Sequence, residues 1–259
     1  LATAIRERIG AKSAAETILH FNFMVYGEFG VGKTRLLGTA QDHPLTSPVL
    51  VLDIEAGSAT LRDRPDVDVV RVDSMKKLVD QYKELEEDAQ SGKPYYKTVG
   101  IDSLTELQKL DMNDIMKAVI KRDSDRDPDV PSMREWGKST NHIRQIVRQF
   151  RDLPYNVIFT ALLARDQDES SGAVSYGPDL PGKLKGQIPG FLDVVGYMHT
   201  IQEKDAIERR LLVQPTQKYK AKDRLGVSSD GPVIIDPTIP KMFNSIIGTG
   251  KSPSVTKGK

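Results

Sequence analysis

Gly27-Glu28-Phe29-Gly30-Val31-Gly32-Lys33-Thr34 is the stretch of this chain best equipped for chemistry. It fits G-x-x-x-x-G-K-[ST], a loop whose backbone N–H groups cradle the phosphates of a nucleoside triphosphate. Glycines let those N–H groups turn inward, and the helix that follows adds partial positive charge at its first turn. In that arrangement Lys33 reaches the β- and γ-phosphates and the Thr34 hydroxyl sits on Mg²⁺. Residues Gly27 through Arg35 are therefore the expected ATP cradle.

The loop needs a carboxylate for the magnesium shell, at the end of a neighbouring buried strand. Asp102, closing Thr98-Val99-Gly100-Ile101-Asp102, fits that role, and a helix cap is the alternative for it. Hydrolysis also needs a group that polarises water. In AAA+ ATPases this is a Glu directly after the strand-end Asp; here the position is Ser103, which argues against that class. A second acidic strand end, Leu52-Asp53-Ile54-Glu55-Ala56, offers Glu55 as the base with Asp53 as its rival.

Such groups require strands that end side by side. His20–Tyr26 reads as a strand and Thr34–Ala40 as the opening of a helix. Val49–Asp53, Asp68–Val72, Lys97–Asp102 and Asn156–Leu162 read as further strands. Helical spacing marks residues 75–90, with Leu78, Val79, Tyr82 and Leu85 apolar, and a long helix from about Ser103 to Lys121. A helix after the loop 122–132 is expected to turn Trp136, Ile143, Ile146, Val147 and Phe150 inward. Residues 165–190, rich in Gly and Pro, read as one long loop, and Asp193–Ile201 with Arg209–Val213 as an antiparallel pair. Alternating strands and helices predict an α/β fold: a mostly parallel central sheet, helices on both faces and a C-terminal antiparallel hairpin. Residues 1–17 are expected to form an N-terminal arm or helix, 18–247 the core, and 248–259 a flexible basic tail.

Taken together, these segments resemble the RecA-type ATPases. Leu52-Asp53-Ile54-Glu55-Ala56 is similar to the strand end that carries their catalytic Glu, and Ile101-Asp102-Ser103 to their magnesium-binding strand. Lys220-Ala221-Lys222-Asp223-Arg224-Leu225-Gly226 resembles the K-x-R motif of the RadA and KaiC branch, which implies that Lys222 and Arg224 reach a neighbouring subunit's γ-phosphate. Glu135-Trp136-Gly137-Lys138 and the overall length are most like phage-encoded, core-only RecA-like proteins of the single-strand annealing and recombination type. The resemblance implies an ATPase using ATP and Mg²⁺, catalytic Glu55, Lys33, Lys222 and Arg224, and metal-binding Thr34 and Asp102. It further implies a ring or filament of identical subunits, single-stranded DNA as partner, and contact with a single-strand-binding protein. One departure is visible: Leu162 stands where a polar γ-phosphate sensor is expected, with Thr160 the nearest substitute.

At 259 residues, 38% hydrophobic and 28% charged, the composition is that of a water-soluble globular chain. No apolar run approaches a membrane span, and the cytoplasm is the expected compartment. Cysteine is absent, which removes disulfides and thiol chemistry, and the four histidines show no metal-ligand spacing. Net charge is only +1, yet residues 204–224 hold seven bases against three acids, and 241–259 hold four lysines and no acid. That asymmetry is compatible with a polyanion partner. Two other functions fit the motif. A small-molecule kinase would need an arginine-bearing lid at 122–134, and a nucleotide-gated DNA-annealing scaffold would hydrolyse little.

Overall fold

A computed structural model describes residues 2–11, 20–168, 170–203, 206–228 and 231–248. Its centre is a sheet built on β1 (Asn22–Gly27), β2 (Val49–Asp53), β3 (Asp68–Arg71), β4 (Thr98–Asp102), β5 (Asn156–Gln167), β7 (Val194–Glu203), β8 (Ala206–Leu212) and β10 (Val233–Ile235). Their order is β10-β8-β7-β1-β5-β4-β2-β3, with β6 (Val174–Pro178) beside β5 and β9 (Lys222–Asp223) beside β7. The run from β7 to β3 is parallel, and β8 and β10 follow antiparallel. This is the α/β architecture expected from the sequence, a mostly parallel central sheet with helices on both faces and a C-terminal antiparallel hairpin.

Both faces are covered, which is why the inner strands are apolar on both sides. One face packs α3 (Met75–Gln90), α4 (Leu104–Ile120), α5 (Met133–Asp152) and α6 (Leu184–Phe191) over Met24, Tyr26, Leu52, Ile101 and Phe159. The other packs α2 (Lys33–Gly38) and α7 (Ile239–Gly248) over Phe23, Val25, Val51 and Ile158. The N-terminal helix α1 (Ala2–Arg8) exposes Ile5, as the turn after it exposes Ile9, and the expected arm otherwise lies outside the described residues, as does the tail beyond Gly248.

The capping chemistry is local and legible. Ser103 accepts the Glu106 N–H at the start of α4, and Ser132 with Glu135 forms a reciprocal capping box on α5. Trp136 and Val79, expected inside, are 37% and 44% exposed. The buried stripe of α5 runs through Glu135, Ser139, Ile143, Val147 and Phe150, and Trp136 stands one position off it.

The long loop read into residues 165–190 is not a loop. β5 runs on to Gln167 and turns back as β6, with Leu163 opposite Pro178 and Gln167 opposite Val174; α6 follows. Asp168 closes the turn by accepting the backbone N–H groups of Ser170 and Ser171. Gly and Pro here punctuate short elements rather than dissolve them. Helix α7 and strand β10 likewise carry too short a pattern to stand out from their neighbours.

Candidate nucleotide-binding site

The carboxyl ends of β1, β4 and β2 meet, as parallel topology requires. After β1 the chain turns through the Gly-rich loop into α2, whose N-cap is Gly32 at φ 103°, a conformation costly for any residue with a Cβ. Gly27 is needed for another reason: a Cβ there would stand 2.3 Å from the Met198 carbonyl oxygen of β7. Lys33 is 7% exposed and donates its ammonium to the carbonyls of Gly27 (3.1 Å) and Glu28 (2.9 Å), filling the loop it belongs to. Burial lowers its pKa, against the opposing charges of Glu55, Asp102 and Glu28.

Asp102 is 1% exposed, and both its oxygens are engaged. Thr34 donates its hydroxyl to Oδ2 at 2.6 Å, and Thr160 of β5 donates to Oδ1. The two residues expected at magnesium are thus in contact. Thr160 is the polar group that β5 supplies, while Leu162 offers only backbone groups, its N–H donated to the Thr105 hydroxyl (3.0 Å) and its carbonyl accepting the Asp179 N–H (2.8 Å). Hard oxygen donors from one hydroxyl and one carboxylate suit Mg²⁺, which takes its remaining ligands from water and phosphate. Among the described residues no group of three or more His, Cys, Asp or Glu side chains is placed to hold a metal ion.

Asp53 and Glu55 differ in their partners. Asp53 is 2% exposed and accepts the N–H groups of Gly57 (3.1 Å) and Ser58 (3.3 Å), with Arg71 3.7 Å away. Its carboxylate holds the turn after β2. Glu55 is exposed and donates its backbone N–H to the Asp102 carbonyl at 3.0 Å, which fixes it beside the Thr34–Asp102 contact. The next residue, Ala56, sits at φ 63°, a strained position for alanine that the same turn imposes.

Lys222 and Arg224 are not brought to this chain's own loop. Their strand β9 pairs with Val194 and Val195, at the opposite end of β1 from Gly27. Phe23 and Met24, level with β9, stand about 10–13 Å along the strand from Gly27. Lys222 donates to the carbonyls of Pro189 (3.1 Å), Gly190 (3.2 Å) and Leu192 (2.6 Å), closing the end of α6, and burial lowers its pKa with Arg224 adding to the effect. Arg224 lies 3.4 Å from Asp193. Their alternate spacing puts the two residues on one side of the segment.

Of the remaining cradle residues, Arg35 forms a two-point ion pair with Asp63 (2.8 and 3.2 Å), and Phe29 is 84% exposed at the loop tip. A cavity of about 430 Å³, lined by Arg35, Ala59, Thr60, Arg62 and Asp63, opens beside the first turn of α2. A cavity of about 670 Å³ lies between α3, α4 and α5, away from the Gly-rich loop and from both acidic strand ends. Two features escaped sequence reading. Arg209 of β8 lies on the loop, and Tyr176, Tyr219, Tyr197 and His199 stack in a column with centroid spacings of 5.1, 4.3 and 5.1 Å. Each brings together residues from separate segments, which no spacing rule could pair.

A profile of a family described as AAA domain matches residues 20–225. The match sets aside the argument from Ser103: that serine is committed to capping α4, and the missing Glu does not exclude the chain. No curated protein matches the sequence. Similar solved structures include the KaiC-like protein PH0186 from Pyrococcus horikoshii OT3, at 13% identity over 84% of this chain and 89% of that one, TM-score 0.42. The RadB recombinase is 11% identical over 74% and 79%, TM-score 0.43. The flagellar accessory protein FlaH from Methanocaldococcus jannaschii is 12% identical over 91% and 92%, TM-score 0.43. Identities this low leave function to the site itself. No helix among the described residues is long and apolar enough to cross a membrane.

Proposed function

The chain belongs to the AAA domain family, and from that premise we propose that this ATPase holds Mg²⁺-ATP between subunits of a ring or filament and couples its hydrolysis to single-stranded DNA. The observation that carries the nucleotide half is the contact of Thr34 with Asp102 beside a buried Lys33, with Glu55 the uncommitted carboxylate at its edge. Bound Mg²⁺ would neutralise phosphate charge. Lys33 exchanges the Gly27 and Glu28 carbonyls for phosphate oxygens, and the N–H groups of the loop hold the same oxygens. Thr34 and Asp102 hold the metal's shell, with Thr160 fixing the carboxylate. Glu55 accepts the proton of the attacking water, and the cavity at Arg35, Thr60 and Arg62 receives the base and ribose.

Two observations support assembly. Phe29 projects uncovered from the loop tip, and Lys222 with Arg224 face away from their own loop. The DNA half rests on the excess of bases in residues 204–224 and on the tyrosine column beside them. A phage setting and a single-strand-binding partner belong to the same proposal and rest on the sequence resemblance alone. The kinase reading loses support because Arg126, needed as a mobile lid residue, is tied to Glu135 at 3.1 Å. The test is ATP hydrolysis by wild type and Lys33→Ala, with and without single-stranded DNA. Lys33-dependent turnover that rises with DNA is expected; Lys33-dependent turnover indifferent to DNA removes the DNA half of the proposal.

A further inference from the structure

Strand β7 outruns β1. Its last pairing with β1 is Tyr197 opposite Tyr26, but it continues to Glu203, and β8 returns along it with Arg209 opposite Thr200. Residues two apart on a strand share a face. Leu211 lies in the core on the α2 side of the sheet, so Arg209 emerges on that side too, beyond the end of the core and above the loop.

There its guanidinium is fixed by one bond. Nε donates to the Val31 carbonyl at 3.3 Å, and Nε stands 3.1 Å from where a Cβ on Gly32 would be. The side chain therefore lies against the glycine that opens α2. Neither terminal nitrogen, Nη1 or Nη2, has a hydrogen bond or ion pair among the described residues. The neighbouring Arg210, by contrast, is paired with Glu208.

A planar fork held by its inner nitrogen, with both outer nitrogens unspent, is an arrangement for binding a phosphate-type anion. The loop beside it is where an anion would be held. We propose that Arg209 is a phosphate ligand for the nucleotide bound by its own chain's loop, a cation supplied in cis from β8. The inference rests on the nucleotide reading of that loop. It differs from the part assigned to Lys222 and Arg224, which serve a neighbour.

The experiment is titration of fluorescently labelled ADP against wild type, Lys33→Ala and three variants at 209, with melting of each nucleotide-free protein as the folding control. Arg209→Gln keeps a donor for the Val31 carbonyl and removes the charge; Arg209→Lys keeps the charge. The expected result is about tenfold weaker ADP binding for Arg209→Ala and Arg209→Gln, most of it restored by Lys. Binding by Arg209→Gln equal to wild type reduces the side chain to a prop for Val31 and overturns the proposal. Variants at 209 within twofold of wild type, while Lys33→Ala loses ADP, overturn it and leave the nucleotide site standing. A Lys33→Ala protein that binds ADP normally removes the site, and Arg209's part with it. Should Arg209→Ala fail to fold, the Gln and Lys pair decides alone.

Discussion

Thr160 donates its hydroxyl to Asp102 Oδ1 from the strand next door, so the carboxylate expected at magnesium is held from the β5 side as well as by the loop. Thr160 is fully buried, and valine matches its shape without the hydroxyl. Thr160→Val should cost about 1–3 kcal/mol of stability, since it leaves a buried carboxylate oxygen unpaired. Thr160→Ser should recover most of that. Urea unfolding of the three proteins gives the comparison, and a neutral valine variant would mean Asp102 finds another donor.

Glu55 and Asp53 should separate cleanly under mutation. Glu55→Gln is expected to lower ATP turnover by about 10²–10⁴-fold, with nucleotide affinity and melting temperature little changed. Asp53→Asn should act mainly on stability, because its oxygens hold the Gly57 and Ser58 N–H groups. Full turnover by Glu55→Gln would return the base assignment to Asp53.

Gly27→Ala would press a methyl group onto the Met198 carbonyl, a backbone atom with no rotamer to yield. Overpacking of this kind costs about 1–3 kcal/mol. The larger effect should be on the loop, which must shift off β7 and lose nucleotide affinity. A variant that both melts and binds ADP like wild type would show that the two strands part easily.

Glu135 ties the start of α5, accepting the Ser132 N–H at 2.7 Å and pairing with Arg126. Its pKa is lowered to about 2, first by the Ser132 contacts and then by Arg126. A carboxyl depressed in the folded state stabilises above its unfolded value, near 4.5, and loses that contribution as pH falls toward 2. The stability gap between wild type and Glu135→Gln should therefore be widest at neutral pH and shrink below pH 4.5. Chemical denaturation at pH 7 and at pH 3 reads it directly, and a constant gap would mean the ionised form is not what α5 depends on.

Arg224→Ala should reduce turnover in the assembled protein without changing nucleotide affinity, the signature of a group that acts on a neighbour's phosphate. Lys222→Ala should do the same and also destabilise, because three carbonyls at the end of α6 lose their donor. Undiminished turnover in Arg224→Ala would confine both residues to holding the α6–β7 corner.

Much of this molecule can be read along the chain, and the reason is locality. The Gly-rich loop, the apolar strands β2 and β4 and the capping boxes of the helices are set by residues within a few positions of each other. Backbone conformation and periodic burial follow from that spacing. Residues 165–190 misled because Gly and Pro density marks turns without saying how many strands lie between them. Trp136 misled because it stands one position, about 100°, off the buried stripe that starts at Glu135 and Ser139.

The sequence by itself determined the nucleotide loop, the alternation of strands and helices, and the shortlist of carboxylates. Only the tertiary structure decided what surrounds each member of that list. Thr160 and Asp102 are 58 residues apart, and Arg209 lies 178 residues from the Val31 carbonyl it meets. Asp53 and Glu55 look alike in sequence, yet one is buried holding a turn and the other stands at the edge of the site. Such choices depend on which strands become neighbours in the sheet, and that is fixed by packing of the whole core rather than by any local pattern.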